Sequence, residues 1–200
     1  MSKQKNEKDA LLNEWTWIYV NYHKYPLIID VNRPKTSIAT LGLKIDHIKP
    51  SNYSNIYTSI YEEEQYSIYL SDESFICFYY IFDKEGNIIG HNLMYIPSPM
   101  NEDGNTPELA YARYIRVDYD QDGHKNVIHT QVHLHVGVHK TEFRIPVAHY
   151  LTPREFLYII LKYIYHSEDV FTDKLLDKRK RRKSILTIEE NEALKLFLGV

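Results

Sequence analysis

Phe75-Ile76-Cys77-Phe78-Tyr79-Tyr80-Ile81-Phe82, Asp83-Lys84-Glu85-Gly86-Asn87 and Ile88-Ile89-Gly90-His91-Asn92-Leu93-Met94-Tyr95-Ile96 follow one another without a break, and the fold turns on how they are read. Two runs rich in aromatic and branched side chains flank five residues with turn chemistry, which predicts two consecutive antiparallel strands. Upstream, Tyr66 to Leu70 has the same character and predicts a strand. Downstream, Pro97-Ser98-Pro99 and the polar stretch Asn101 to Pro107 predict a loop, and Tyr111 to Tyr119, Gln131 to Val138 and Phe143 to Val147 predict three further strands. Strands in direct succession, without intervening helices, make an antiparallel meander.

Helices close both ends. Leu11, Leu12, Trp15, Ile18, Tyr19 and Tyr22 recur at three-and-four spacing until Pro26 breaks the pattern, so a helix is expected near 7 to 23. Between Tyr25 and Ser54 three prolines interrupt any period, and only Ile38 to Ile45 suggests a short strand or helical turn. Thr152-Pro153 supplies a capping hydroxyl and a proline tolerated at the first helical position, ahead of Phe156, Leu157, Ile160, Leu161 and Ile164 on one face. Thr187 with Glu190 forms a capping box before Ala193, Leu194, Phe197 and Leu198. The expected fold is α+β: one domain over 1–200, an antiparallel β-meander sheet packed by an N-terminal helix and C-terminal helices.

Composition narrows the setting. No segment approaches the roughly 20 uninterrupted apolar residues of a membrane span, and Met1 to Asp9 alternates Lys with Glu and Asp where a secretory signal would be apolar. Cys77 is the single cysteine, so an internal disulfide is impossible and a buried reduced thiol is expected. A cytoplasmic protein with no membrane partner follows. The net charge of −3 gives no global attraction for nucleic acid, but Lys178-Arg179-Lys180-Arg181-Arg182-Lys183 gathers six cations in a connection between two late helices. That run is either a solvated charge cluster or a nucleic-acid-binding patch that contacts phosphates regardless of sequence.

The stretch with most chemistry is Gln131-Val132-His133-Leu134-His135-Val136-Gly137-Val138-His139. Strand alternation sends Val132, Leu134, Val136 and Val138 to the core, and Gln131, His133, His135 and His139 to the other face. The two imidazoles of His133 and His135 then stand about 7 Å apart, which suits shared metal binding or an acid/base pair. Metal binding needs a third ligand, and Glu142 comes later than the carboxylate that follows an HxH strand in the cupin pattern. No HExxH or CxxC pattern occurs either, so no cofactor and no metal is expected, and an HxH metalloenzyme stays as an alternative.

Arg116 and Asp118 share a face by the same alternation, and Arg144 follows the histidine strand on a strand of its own. If register brings them together, Arg116, His133, His135 and Arg144 form one cationic surface. Arginine matches phosphate geometry, and histidine moves protons near neutral pH, so such a surface suits cleavage of a phosphodiester by a ribose 2′-hydroxyl without metal. A solvent-facing sheet side is also normally polar, and these residues then do no more than pair across strands. His91 and Tyr95 share a face on a neighbouring strand and would extend the surface.

The motifs His91-Asn92-Leu93-Met94-Tyr95-Ile96-Pro97-Ser98-Pro99, Tyr114-Ile115-Arg116-Val117-Asp118-Tyr119-Asp120, His133-Leu134-His135-Val136-Gly137, Arg144-Ile145-Pro146-Val147 and Leu151-Thr152-Pro153-Arg154-Glu155-Phe156 cover roughly the second half of the chain. Together they resemble an uncharacterised bacterial family, domain of unknown function 2290. The sequence departs from that pattern at Asn92, where a basic residue is expected. The family comes without a reaction, but in size and setting such families are similar to components of bacterial toxin and anti-phage systems. The resulting expectation is a cytoplasmic component of a bacterial defence or toxin–antitoxin module acting on RNA, as a metal-independent endoribonuclease. His133 and His135 would be acid and base, Arg116 and Arg144 would hold the phosphate, and a partner protein from the same operon would accompany it. The alternative is a non-catalytic subunit that binds nucleic acid, RNA before DNA, or a protein partner.

Overall fold

Buried residues Leu11, Trp15, Ile18 and Tyr22 fall on one face of the first helix, α1 (Glu7–Tyr22), whose N-terminus is capped by the Asn6 side chain accepting from the Lys8 amide. The computed structural model describes residues 6–45, 48–99, 106–122, 130–137 and 144–175, with 185, 187, 188 and 190. After α1 come β1 (Ile28–Val31), β2 (Thr40–Gly42), α2 (Tyr53–Glu62), β3 (Ile68–Leu70), β4 (Phe75–Phe82), β5 (Ile88–Ile96), α3 (Pro107–Ala112), β6 (Ile115–Asp120), β7 (Val132–Val136), β8 (Ile145–Pro146), α4 (Pro153–Ile159) and α5 (Val170–Leu175). A π-helical turn, Ile160–Ile164, continues α4.

The strands form one antiparallel sheet in the order β1-β3-β4-β5-β6-β7-β8, with β2 also on β4. Strands β2 and β3 share the outer edge of β4: Leu41 pairs with Tyr80 at one end, and Ile68 with Ile76 at the other. The chain is thus α+β, with a meander from β3 to β8.

Period-two alternation gives each face its own core. On one, Ile76, Phe78, Tyr80, Leu93, Val117 and Val132 meet α1 and α4, with Trp15 edge-on to Phe78 at 5.2 Å and Phe78 edge-on to Phe156 at 6.5 Å. On the other, Phe75, Cys77, Met94 and Ile96 lie under Tyr53, Tyr57 and Ile60 of α2 and Ala110 of α3. Cys77 is buried there, and burial pushes its thiol up to about 12, so it stays protonated and inert. Helices α2 and α3 reach only part of this second face, and the part over β5, β6 and β7 is a cleft.

Several elements differ from the sequence expectation. Tyr111 and Tyr114 do not begin a strand: Thr106, whose hydroxyl accepts from the Leu109 amide, caps α3 and delays the strand to Ile115. Helix α2 arises where no period was recognised, and Thr40–Gly42 is the strand of the Ile38 to Ile45 segment. Val136, expected in the core, is 40% exposed at the strand's end. The capping box at Thr187 is present, Glu190 Oε2 accepting from the Thr187 amide at 2.9 Å and Thr187 Oγ1 from the Glu190 amide at 3.2 Å. Val138, His139, Glu142 and the basic run Lys178 to Lys183 lie outside the described residues.

Gly137 fixes where β7 ends. Its amide donates to the Tyr114 carbonyl at 2.9 Å, and a Cβ there would lie 1.7 Å from the Tyr111 carbonyl oxygen. Only glycine permits so close an approach of backbone to backbone. The end of β7 is thereby drawn against the α3–β6 corner.

Candidate functional site

The sheet register builds the cleft. Arg116 of β6 lies opposite His135 of β7, Asp118 opposite His133, and Asn92 of β5 opposite Asp118 on its other side. Because Val117, Leu134 and Leu93 take the core side, these five polar residues all project from the opposite face. With Arg144, just before β8, they line an open cleft of about 520 Å³. Asp120 and Asp122 lie along the same cleft and give it an acidic part.

Asp118 is the hub. Its Oδ1 accepts from Asn92 Nδ2 at 2.6 Å, while its Oδ2 lies 2.8 Å from Arg116 Nε, 3.2 Å from His135 Nε2 and 3.8 Å from His133 Nε2. Burial by itself would raise its pKa, but the approach of His135 and the charge of Arg116 outweigh this and hold the carboxyl below the ordinary aspartate value. It is an anion at neutral pH. His133 is almost wholly buried, and its Nδ1 lies 2.9 Å from the Thr130 carbonyl. A carbonyl oxygen only accepts, so Nδ1 carries the proton and Nε2 is the nitrogen turned to the carboxylate. The two imidazole centroids are 4.8 Å apart at 73°, closer than the strand rise alone implies because both rings lean toward Asp118.

The family described as uncharacterized conserved protein (DUF2290) matches residues 25–198, most of the chain. The chain belongs to DUF2290. Neither the curated proteins nor the solved structures contain a match to it.

Of the residues singled out in the sequence of this DUF2290 chain, Arg116, His133, His135 and Arg144 come to one cleft. His91 borders the cleft but does not turn its ring into it. Its side chain enters the core on the other face, with Nδ1 3.2 Å from the Val117 carbonyl and Nε2 accepting from the Leu151 amide at 3.2 Å. Burial drives its pKa down from 6.5 to about 4, so it is neutral. Tyr95 points the same way and bonds Tyr165 and Ser74. The residue that faces the cleft is the neighbouring Asn92, so the DUF2290 position where a basic residue was expected is a donor to Asp118.

Sequence reasoning placed Asp118 on the right face without giving it a role, and it passed over Asn92. The Arg116-x-Asp118 and His133-x-His135 alternations were the available signal, and the register that joins them was hidden. Among the described residues, Asp118, His133 and His135 form a group in which one donor atom from each lies within 4.8 Å of the other two. Of these three donors the carboxylate stands on β6, the strand adjacent to the two histidines.

Proposed function

We propose that this DUF2290 protein cleaves RNA as an endoribonuclease, as a cytoplasmic component of a bacterial defence or toxin–antitoxin module. The reading is carried by one observation: two arginines and two histidines line a single open cleft around the ionised Asp118, and among the described residues no other three His, Cys, Asp or Glu side chains converge in this way. An open cleft admits a chain passing through it, which a sealed pocket does not. Arg116 and Arg144 neutralise a phosphate and the charge that develops on it. An imidazole of the His133 and His135 pair takes the proton of the attacking 2′-hydroxyl, the adjacent Asp118 carboxylate favouring the imidazolium that forms, and solvent water supplies the proton that the leaving oxygen takes up. That oxygen bonds to phosphorus while the bond to the 5′-oxygen breaks and the 5′-oxygen takes up a proton, leaving a 2′,3′-cyclic phosphate and a 5′-hydroxyl. Lys178 to Lys183 would add sequence-independent phosphate contacts.

The test uses the purified full chain and end-labelled RNA. The expected result is cleavage to cyclic phosphate ends, no cleavage of the matching DNA, a loss of about a hundredfold or more in Arg144→Ala, and loss of activity in the His133→Ala, His135→Ala double variant. Full activity in the double variant would refute the assignment. Binding without turnover would instead indicate the non-catalytic subunit. Growth arrest on expression tests the setting, because a toxin causes it and a binding subunit need not.

A further inference from the structure

We infer that Asp118, His133 and His135 bind one divalent transition-metal ion of the Zn2+ or Mn2+ type, which deepens the reading of the cleft as a reaction site and rests on it. The first support is geometric. A metal with bonds of about 2.0–2.2 Å to oxygen and nitrogen sets neighbouring donors roughly 3–4 Å apart. His135 Nε2 and His133 Nε2 lie 3.2 and 3.8 Å from Asp118 Oδ2, already in that range, and all three donors fall within 4.8 Å of one another. A small turn of one imidazole completes the set.

The second support is the tautomer of His133. A histidine that ligates metal through one nitrogen usually ties the other to a carbonyl or carboxylate, which fixes the ring and leaves the lone pair facing the ion. His133 has this arrangement, with Nδ1 on the Thr130 carbonyl and Nε2 toward Asp118, and it is 2% exposed, so the ring is held in place. His135 Nε2 is also buried, and among the described residues it has no hydrogen-bond partner of good geometry despite its closeness to Oδ2. Two ring nitrogens and a carboxylate oxygen are gathered on one point, which is where a cation belongs.

Convergence also speaks against the two imidazoles acting as separate acid and base. In-line cleavage needs those groups on opposite sides of the phosphate, and both rings here turn to the same carboxylate oxygen. Two neutral nitrogens and one oxygen favour a borderline ion over Mg2+ or Ca2+. Three protein ligands leave positions open for a water or a substrate oxygen, whose proton the ion would make easier to lose. Arg116 and Arg144 share the cleft and repel the ion, so binding tightens when an anionic phosphodiester is present.

The test is calorimetric titration of metal-stripped full-length protein with zinc chloride, and separately with manganese chloride, at pH 7.5 and without RNA. One site per chain is expected for at least one ion. Asp118→Asn and His133→Ala should each weaken it at least about tenfold, while Arg144→Ala should bind as tightly or more tightly. X-ray absorption of the zinc-loaded wild type, which needs no variant to fold, should show two imidazoles in the coordination shell. Absence of saturable binding, unchanged affinity in both ligand variants, or a shell without two imidazoles overturns the site. RNA cleavage that persists in protein unable to bind metal removes the metal and leaves the activity. Metal bound through these residues by a chain that does not cut RNA removes the activity and leaves the site.

Discussion

Replacing Asp118 with alanine will destabilise the fold by about 3 kcal/mol and abolish RNA cleavage, although the residue sits on an open face. Four nitrogens surround this carboxylate: Asn92 Nδ2 donating to Oδ1, and Arg116 Nε, His135 Nε2 and His133 Nε2 around Oδ2. Arg116 has only 15% of its side chain exposed and His133 only 3%. Without the anion, a guanidinium and two imidazoles are left together in a place where water replaces the lost partner poorly, and breaking a buried pair costs far more than a surface ion pair contributes. Asp118→Asn keeps the shape and one acceptor oxygen, so its structural cost is smaller, about 1–2 kcal/mol. Urea unfolding measures both. A lower midpoint with an unchanged slope is expected, and a midpoint within error of the wild type in the alanine variant contradicts the hub.

Acid will weaken the protein well above the range where carboxylates titrate, and His91 is the reason. This imidazole is neutral in the core, donating from Nδ1 to the Val117 carbonyl and accepting at Nε2 from the Leu151 amide. Burial is the main cause of its fall from 6.5 to about 4, and the nearby Asp118 charge opposes it only in part. The unfolded chain therefore takes up a proton more readily than the folded one between these values. The stability held by neutral His91 is complete above pH 6.5 and is lost as pH falls toward 4, on the order of 3 kcal/mol in all, with about 2 kcal/mol gone by pH 5. Denaturant unfolding at pH 7.5 and pH 5 should show that difference. His91→Gln, less stable at pH 7.5 because a flexible amide replaces the packed imidazole ring, should lose most of the pH slope. A slope that survives in this variant assigns the effect to another group.

The two strands that decide the fold were legible to the residue, because Phe75–Phe82 and Ile88–Ile96 are bounded by local turn chemistry and need nothing distant to define them. Helix α1 was legible to within a residue and the Thr152 cap of α4 was legible too, while the return of Glu155 Oε2 to the Thr152 amide at 2.8 Å, which completes a capping box, had not been read. Helix α2 was missed although Tyr53, Ile56, Tyr57 and Ile60 carry its spacing. Pro50 looked like a breaker and instead opens the short 3-10 turn Pro50–Asn52 that leads into the helix. Helix α3 had a Thr-Pro start like that of α4, masked by aromatic residues that suit strands.

For the site, alternation sent His133 and His135 to one face, whereas on β5 the wrong residue of the alternating pair was taken to face the cleft, His91 in place of Asn92. Register was not legible. Whether Asp118 meets His133 or another residue depends on how the chain between β6 and β7 closes, and no local pattern encodes that. A carboxylate beside the two histidines was looked for along their own strand, and Asp118 lies across from it on the neighbouring one.

Long-range proton–nitrogen NMR of the imidazoles addresses the cleft most directly, using the full chain and a short 2′-fluoro RNA that cannot cyclise. Titration should move the ring nitrogens of His133 and His135 while those of His91, on the far face of the sheet, stay where they are. Saturable RNA binding that leaves both cleft imidazoles unmoved would place the ligand elsewhere and contradict the assignment.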